Sequence, residues 1–135
     1  MNLKGYTLAL DASCPTTQVA LFKDAKLLEI REEASPAMQS LIRSAQHSIS
    51  NHNLHLSEIK NFIYCAGPGS ILGIRLSIMA IRTWATLYSV PSNRIHSVFS
   101  LPMAAASYLQ QAQQPPEKSL IVCSEWKKDH WNTFH

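Results

Sequence analysis

The chain has 135 residues, 46% hydrophobic and 16% charged, with a formal net charge of +3. That length allows one core of useful size, and the composition excludes disorder over most of the chain. The lysines and arginines are scattered, with Lys127-Lys128 the only adjacent pair, so they read as solvated surface rather than as a nucleic-acid stripe.

The cysteines, Cys14, Cys65 and Cys123, are odd in number and not in Cys-x-x-Cys pairs, so neither a disulfide framework nor a zinc site is indicated. The six histidines lack His-Glu-x-x-His spacing; His52 and His55 sit at a polar helix end, a weak basis for a metal site. No apolar stretch is long enough to cross a bilayer, and strand character begins too early for a signal peptide, so a cytoplasmic protein is expected.

Tyr6 to Asp11 reads as a buried strand, followed by a loop from Ala12 to Thr17. Gln18 to Lys23 and Lys26 to Arg31 then form two more strands around Asp24-Ala25, an antiparallel meander. Ser35-Pro36 is a helix start, and Met38, Leu41, Ile42, Ala45 and Ile49 form one apolar stripe behind it. Leu56 to Ile59 reads as a helical turn leading into a strand around Phe62 to Ala66.

Three of the four glycines fall in Gly67-Pro68-Gly69-Ser70-Ile71-Leu72-Gly73, between that strand and a helix expected from Ile74 to Tyr88. Such a loop suits either close backbone packing or an anion at the helix N-terminus. No Gly-Lys-Ser/Thr follows, and the Gly-x-Gly-x-x-Gly spacing is absent, so neither a Walker loop nor a dinucleotide fingerprint is present. Val90-Pro91 stops the helix; Arg94 to Phe99 is a further strand, and Ser100 is placed to cap a helix from Leu101 to about Gln113. Strands at Ser119 to Cys123 and Trp131 to His135 follow a polar, proline-closed stretch.

The order predicts an α/β fold with a mixed five-stranded sheet, in three parts: a domain over 1–109, a linker over 110–118 and a strand pair over 119–135 that begins a truncated second domain. If the first and fourth strands are neighbours, Asp11, Ser13 and the loop bearing Gly67, Gly69, Ser70 and Gly73 converge on one edge as a candidate ligand or phosphate site.

The opening Leu8-Ala9-Leu10-Asp11-Ala12-Ser13, together with Gly-Pro-Gly-Ser-x-x-Gly-Ile-Arg after the fourth strand and Val98-Phe99-Ser100-Leu101, resembles the N-terminal part of the TsaB (YeaZ) family over roughly Tyr6 to Met103. That resemblance implies the fold of the actin, sugar kinase and Hsp70 superfamily. It also implies a non-catalytic partner of TsaD in making threonylcarbamoyladenosine on tRNA, with TsaE supplying an ATPase to the complex.

The chain departs from the family at several points. Asp11-Ala12-Ser13 stands where the family usually has Asp-Thr-Ser, Met38-Gln39-Ser40 where it often has His-Ser-Glu, and Ile71-Leu72 where it has Phe-Thr. Ser124-Glu125-Trp126-Lys127 replaces an Asp-Ala-Arg-like segment. Each change at the first loop and the glycine loop removes polar chemistry, and a phosphotransferase would need a second domain closing over its nucleotide.

The expectation is therefore a scaffold with no catalytic residues, metal or obligatory cofactor, ATP or ADP being the nucleotides its fold would admit. The alternative is a small nucleotide-binding module or weak phosphotransferase. A nucleophilic role for Cys14 or Cys65 is disfavoured for want of a histidine partner. In the second helix Ile74, Ile78, Ile81, Ala85 and Tyr88 can face the sheet, which leaves Leu76, Met79, Ala80, Thr83 and Leu87 off that stripe. The resemblance assigns that face to packing against TsaD, or against another copy when TsaD is absent; cover from within the chain is the competing reading.

Overall fold

The computed structural model describes residues 2–34, 36–101, 111, 122–127 and 130–134. Strands β1 (Tyr6–Asp11), β2 (Thr17–Lys23) and β3 (Lys26–Glu33) form the meander, followed by helix α1 (Ala37–Asn51), β4 (Ile59–Cys65), α2 (Ile71–Leu87) and β5 (Ile95–Val98). The sheet order is β3-β2-β1-β4-β5; β1 and β3 flank β2 antiparallel, and β4 runs parallel to both β1 and β5. Two residues join β2 to β3, Asp24 at φ 49° and Ala25 at φ 65°, a hairpin turn held by Asp24 Oδ1 accepting from the Gly5 N–H at 2.8 Å.

The core lies between one sheet face and the two helices. Leu8, Leu10, Val19, Leu21 and Phe62 meet Leu41, Ala45, Ile81 and Ala85, with Trp84 tilted on Phe62 at 6.1 Å. Alternation along each strand makes this one-sided face apolar while the intervening residues point the other way.

Helix α1 buries a row the hydrophobic pattern did not mark. Ser40, Ser44 and Ser48 lie at four-residue steps against the sheet, and Ser40 Oγ donates to Thr17 Oγ1 at 3.0 Å. Met38, expected in the buried stripe, is 61% exposed. The helix is capped at Pro36 without a side-chain bond, so proline sits one position earlier than expected relative to the helix start.

On α2 the expected sheet-facing row of Ile74, Ile78, Ile81, Ala85 and Tyr88 is rotated. Gly73, Ser77, Ile81 and Ala85 are the buried residues, because the two small ones let the helix approach most closely. The helix also starts three residues earlier than the periodicity indicated, since Ser70 Oγ accepts the Gly73 N–H at 3.2 Å. It ends where Ser89 adopts φ 54° and the Val90 N–H returns to the Ala85 carbonyl at 2.8 Å.

The Leu56–Glu58 turn forms as expected, capped reciprocally by His55 and Glu58. Strand β5 is shorter than expected, Arg94 belonging to a 3₁₀ turn over Ser92–Arg94. Ser100 is already helical rather than a cap; of the helix expected beyond it, Leu101 and Gln111 are described and are helical. The rest of that helix and most of the 110–118 linker lie outside the described residues. A two-stranded antiparallel sheet follows, β6 (Val122–Lys127) with β7 (His130–Phe134); β6 runs past the expected end at Cys123, β7 covers the expected second strand from Trp131 to Phe134, and 119–121 and 135 lie outside the described residues.

Candidate functional site

Parallel pairing of β1 with β4 brings the two glycine-adjacent strand ends side by side, Leu10 opposite Tyr64. Asp11, Ser13, Gly67, Gly69, Ser70 and Gly73 consequently gather at the carboxyl edge of these strands. Asp11 closes its own loop: Oδ1 accepts both the Ser13 N–H at 2.8 Å and the Ser13 Oγ–H at 2.6 Å. Ser13 is 4% exposed, and its Oγ lies 3.6 Å from Cys65 Sγ and 3.9 Å from Cys14 Sγ.

The glycine loop is laid directly on this first loop. The Ser70 N–H donates to the Ser13 carbonyl at 2.7 Å. A Cβ on Gly69 would stand 2.4 Å from the Ser13 carbonyl oxygen, and one on Gly73 only 1.6 Å from that of Ala12. Gly67, at φ 100°, turns the chain out of β4, and its carbonyl accepts the Ser100 N–H at 3.0 Å. Backbone contact from Ala12 and Ser13 thus fills the space that glycine opens, the packing role of the two open at the sequence level. Ala12 takes part without any sequence signal, since it acts through its backbone, and Ser100, expected as a helix cap, also donates its Oγ–H to the Pro68 carbonyl at 3.4 Å.

On the sheet face away from the helices, a cavity of about 220 Å³ is lined by Ala9, Asp11, Gln18, Ile63, Cys65 and Ser100 among others. Its walls are mainly hydrophobic, and Asp11 is its one carboxylate among the described residues. Among the described residues no cluster of three histidine, cysteine or carboxylate side chains is placed to hold a metal. His52 instead pairs with Glu29 across 3.1 Å, and His55 caps the turn before β4. Burial opposes ionisation of Glu29, but hydrogen bonds from Arg31 and Asn51 and the charges of Arg31 and His52 outweigh it, leaving its pKa below the usual range.

The proposed partner residues are not equivalent. Met79 and Leu87 are 63% and 66% exposed, and Thr83 is exposed between them. Leu76 is half-buried, and Ala80 packs partly against the core. Leu72, 67% exposed, extends the stripe one turn toward the N-terminus, a member the sequence reading missed. No helix among the described residues is long and apolar enough to cross a membrane.

Strand order, the helices on one face and the strand-end loop pair define an α/β domain with an actin-like fold. A Bacteroides thetaiotaomicron protein with an actin-like ATPase fold superposes with a TM-score of 0.51 at 7% identity, over 76% of this chain and 37% of that one. YeaZ from Pseudomonas aeruginosa superposes with a TM-score of 0.68 at 25% identity, over 79% of this chain and 49% of YeaZ. A second Pseudomonas aeruginosa structure, described as similar to the peptidase YeaZ, gives 0.69 at 23% identity with the same coverage.

The family model for TsaD, tRNA N6-adenosine threonylcarbamoyltransferase, matches residues 30–124, more than half of the chain. The chain belongs to that family, and its fold is TsaB-like, in agreement with the motifs around Asp11 and Gly67. It spans about half the length of the YeaZ structures it matches. No curated protein sequence matches it significantly.

Proposed function

We propose that the chain is a TsaB-like, non-catalytic subunit that supports TsaD in threonylcarbamoyladenosine modification of tRNA, and that it forms a homodimer when TsaD is absent. The second apolar face of α2 carries this reading. Leu72, Leu76, Met79, Thr83 and Leu87 follow one another at three- and four-residue steps, on the side of the helix opposite its buried row. A groove of about 280 Å³ lies where Trp84 of the same helix faces Ile42, Gln46 and Ile49 of α1. An exposed row of mainly apolar side chains along one helix suits a packed helix pair from a partner.

The strand-end loops support a structural rather than a catalytic role. One Asp11 oxygen is engaged by Ser13, and the glycine loop is occupied by neighbouring backbone. In this reading TsaD carries the transfer chemistry, TsaE joins through the complex, and nucleotide at this chain's own site is not required. Co-purification with the cognate TsaD tests it. Wild type is expected to hold TsaD without ATP, and Met79→Glu to lose both TsaD and self-association while keeping its melting temperature. A wild type that is monomeric and ignores TsaD would overturn the proposal.

A further inference from the structure

The basic residues scattered along the sequence converge in the fold. Lys4, Lys60 and Arg94 line one cleft of about 310 Å³ against Tyr88 and the Ser89–Pro91 turn, and no carboxylate among the described residues lines it. They come from separate elements, the segment before β1, strand β4 and the turn before β5, brought together because these strands are parallel neighbours. Lys4 and Lys60 are exposed. Arg94 is held by Asn61 Oδ1 at 3.2 Å and the Asn2 carbonyl at 3.4 Å, acceptors that orient its guanidinium without neutralising it.

Among the described residues the ion pairs involve Arg31, Arg43 and His52, so none of the three cleft cations is in one. The same end of the sheet carries Lys23, its ammonium 5.3 Å over the Tyr6 ring, and Lys26. Asp24 and Glu58, which are outside the cleft lining, keep their charge but are held in place by the backbone N–H groups of Gly5 and His55, each at 2.8 Å. The C-terminus of α2 draws some positive charge to this place, but it offers only about half a negative charge against three cations. The cleft itself thus presents three cations in no ion pair among the described residues.

We propose that this cleft binds the phosphate backbone of RNA. Three convergent cations without a carboxylate suit consecutive phosphates, and the Tyr88–His55 edge-to-face pair, 5.8 Å between ring centres, flanks them with aromatic surface. Leu87, the last exposed apolar residue of α2, directly precedes Tyr88. A partner lying along α2 therefore ends at the cleft edge, and an RNA carried by that partner runs onto Lys4 and Lys60. Identifying this RNA as tRNA rests on the function proposed above.

Titration of the isolated chain with a short RNA stem-loop, followed by fluorescence anisotropy over a range of salt concentrations, tests the proposal without TsaD. Wild type is expected to bind more weakly as salt rises, and Lys4→Glu/Lys60→Glu to lose at least roughly tenfold in affinity. The milder Lys4→Gln/Lys60→Gln should flatten the log–log salt slope by about one per lysine, while Arg82→Glu on the exposed side of α2 changes neither. Failure of wild type to bind, or undiminished binding by both double variants, would overturn it. So would equal binding of polyglutamate, or binding of inorganic phosphate with no binding of RNA. TsaD association is judged by co-purification, so either result can fail without the other.

Discussion

Replacing Gly73 by alanine opposes two effects of known sign. Alanine favours helix over glycine by up to about 1 kcal/mol, so an exposed glycine in the first turn of α2 would gain stability from the change. Gly73 is buried, however, and the new Cβ would stand 1.6 Å from the Ala12 carbonyl oxygen and 2.6 Å from its carbon. Reaching the 3.0 Å floor of real Cβ contacts requires α2 and the β1 loop to separate by roughly 1.4 Å.

That displacement strains the buried row of Ser77, Ile81 and Ala85, a misfit of the kind that costs about 1–3 kcal/mol. It also stretches the Ser70–Ser13 backbone bond, 2.7 Å long, worth about 1 kcal/mol. The net expectation is a loss of about 1–3 kcal/mol for Gly73→Ala, roughly 10 °C in melting temperature for a domain of this size, and more for Gly73→Val. Urea and thermal unfolding followed by circular dichroism measure it with no ligand present. A Gly73→Ala variant as stable as wild type would show that helix propensity outweighs the close approach, and would return the loop to a ligand-binding reading.

Gly69→Val is expected to destabilise in the same way, since its Cβ meets the Ser13 carbonyl; selective loss of a ligand with unchanged melting would count against packing. The purified chain is expected to hydrolyse no ATP, and Asp11→Ala to lower stability by about 1–2 kcal/mol through the freed Ser13 N–H and hydroxyl; turnover that vanishes with Asp11→Ala would refute the scaffold reading. Glu29 has a lowered folded pKa, so its contribution is present above the ordinary carboxylate range and is lost as pH falls through the folded value. Glu29→Gln should therefore flatten the acid side of the stability–pH curve, and an unchanged curve would contradict the pairing with Arg31 and His52.

Local patterning determined the elements of this protein. Alternation in β1 and β2, Asp24-Ala25 between strands, and three- and four-residue spacing in α1 and α2 each act within a few residues, which is the range over which backbone preferences operate. The element order also made β1 and β4 candidate neighbours, which puts Asp11 and Gly67 on one edge of the sheet. What Gly73 does was beyond reach, because its constraint is the carbonyl of Ala12, 61 residues away and carrying no side-chain signal.

The same limit hid the serine row of α1, where Ser40 finds the Thr17 hydroxyl and Ser44 the Glu33 carboxylate on the sheet, and it turned α2 toward Gly73 and Ser77 instead of Ile74 and Ile78. Charge shows the difference most clearly. Lys4, Lys60 and Arg94 are unrelated in the chain, and parallel strand pairing alone places them around one cleft. Sequence sets which segments form strands and helices through local energetics, whereas closest approach, burial of small residues and the summed field of separated charges depend on distances that exist only after the sheet has closed.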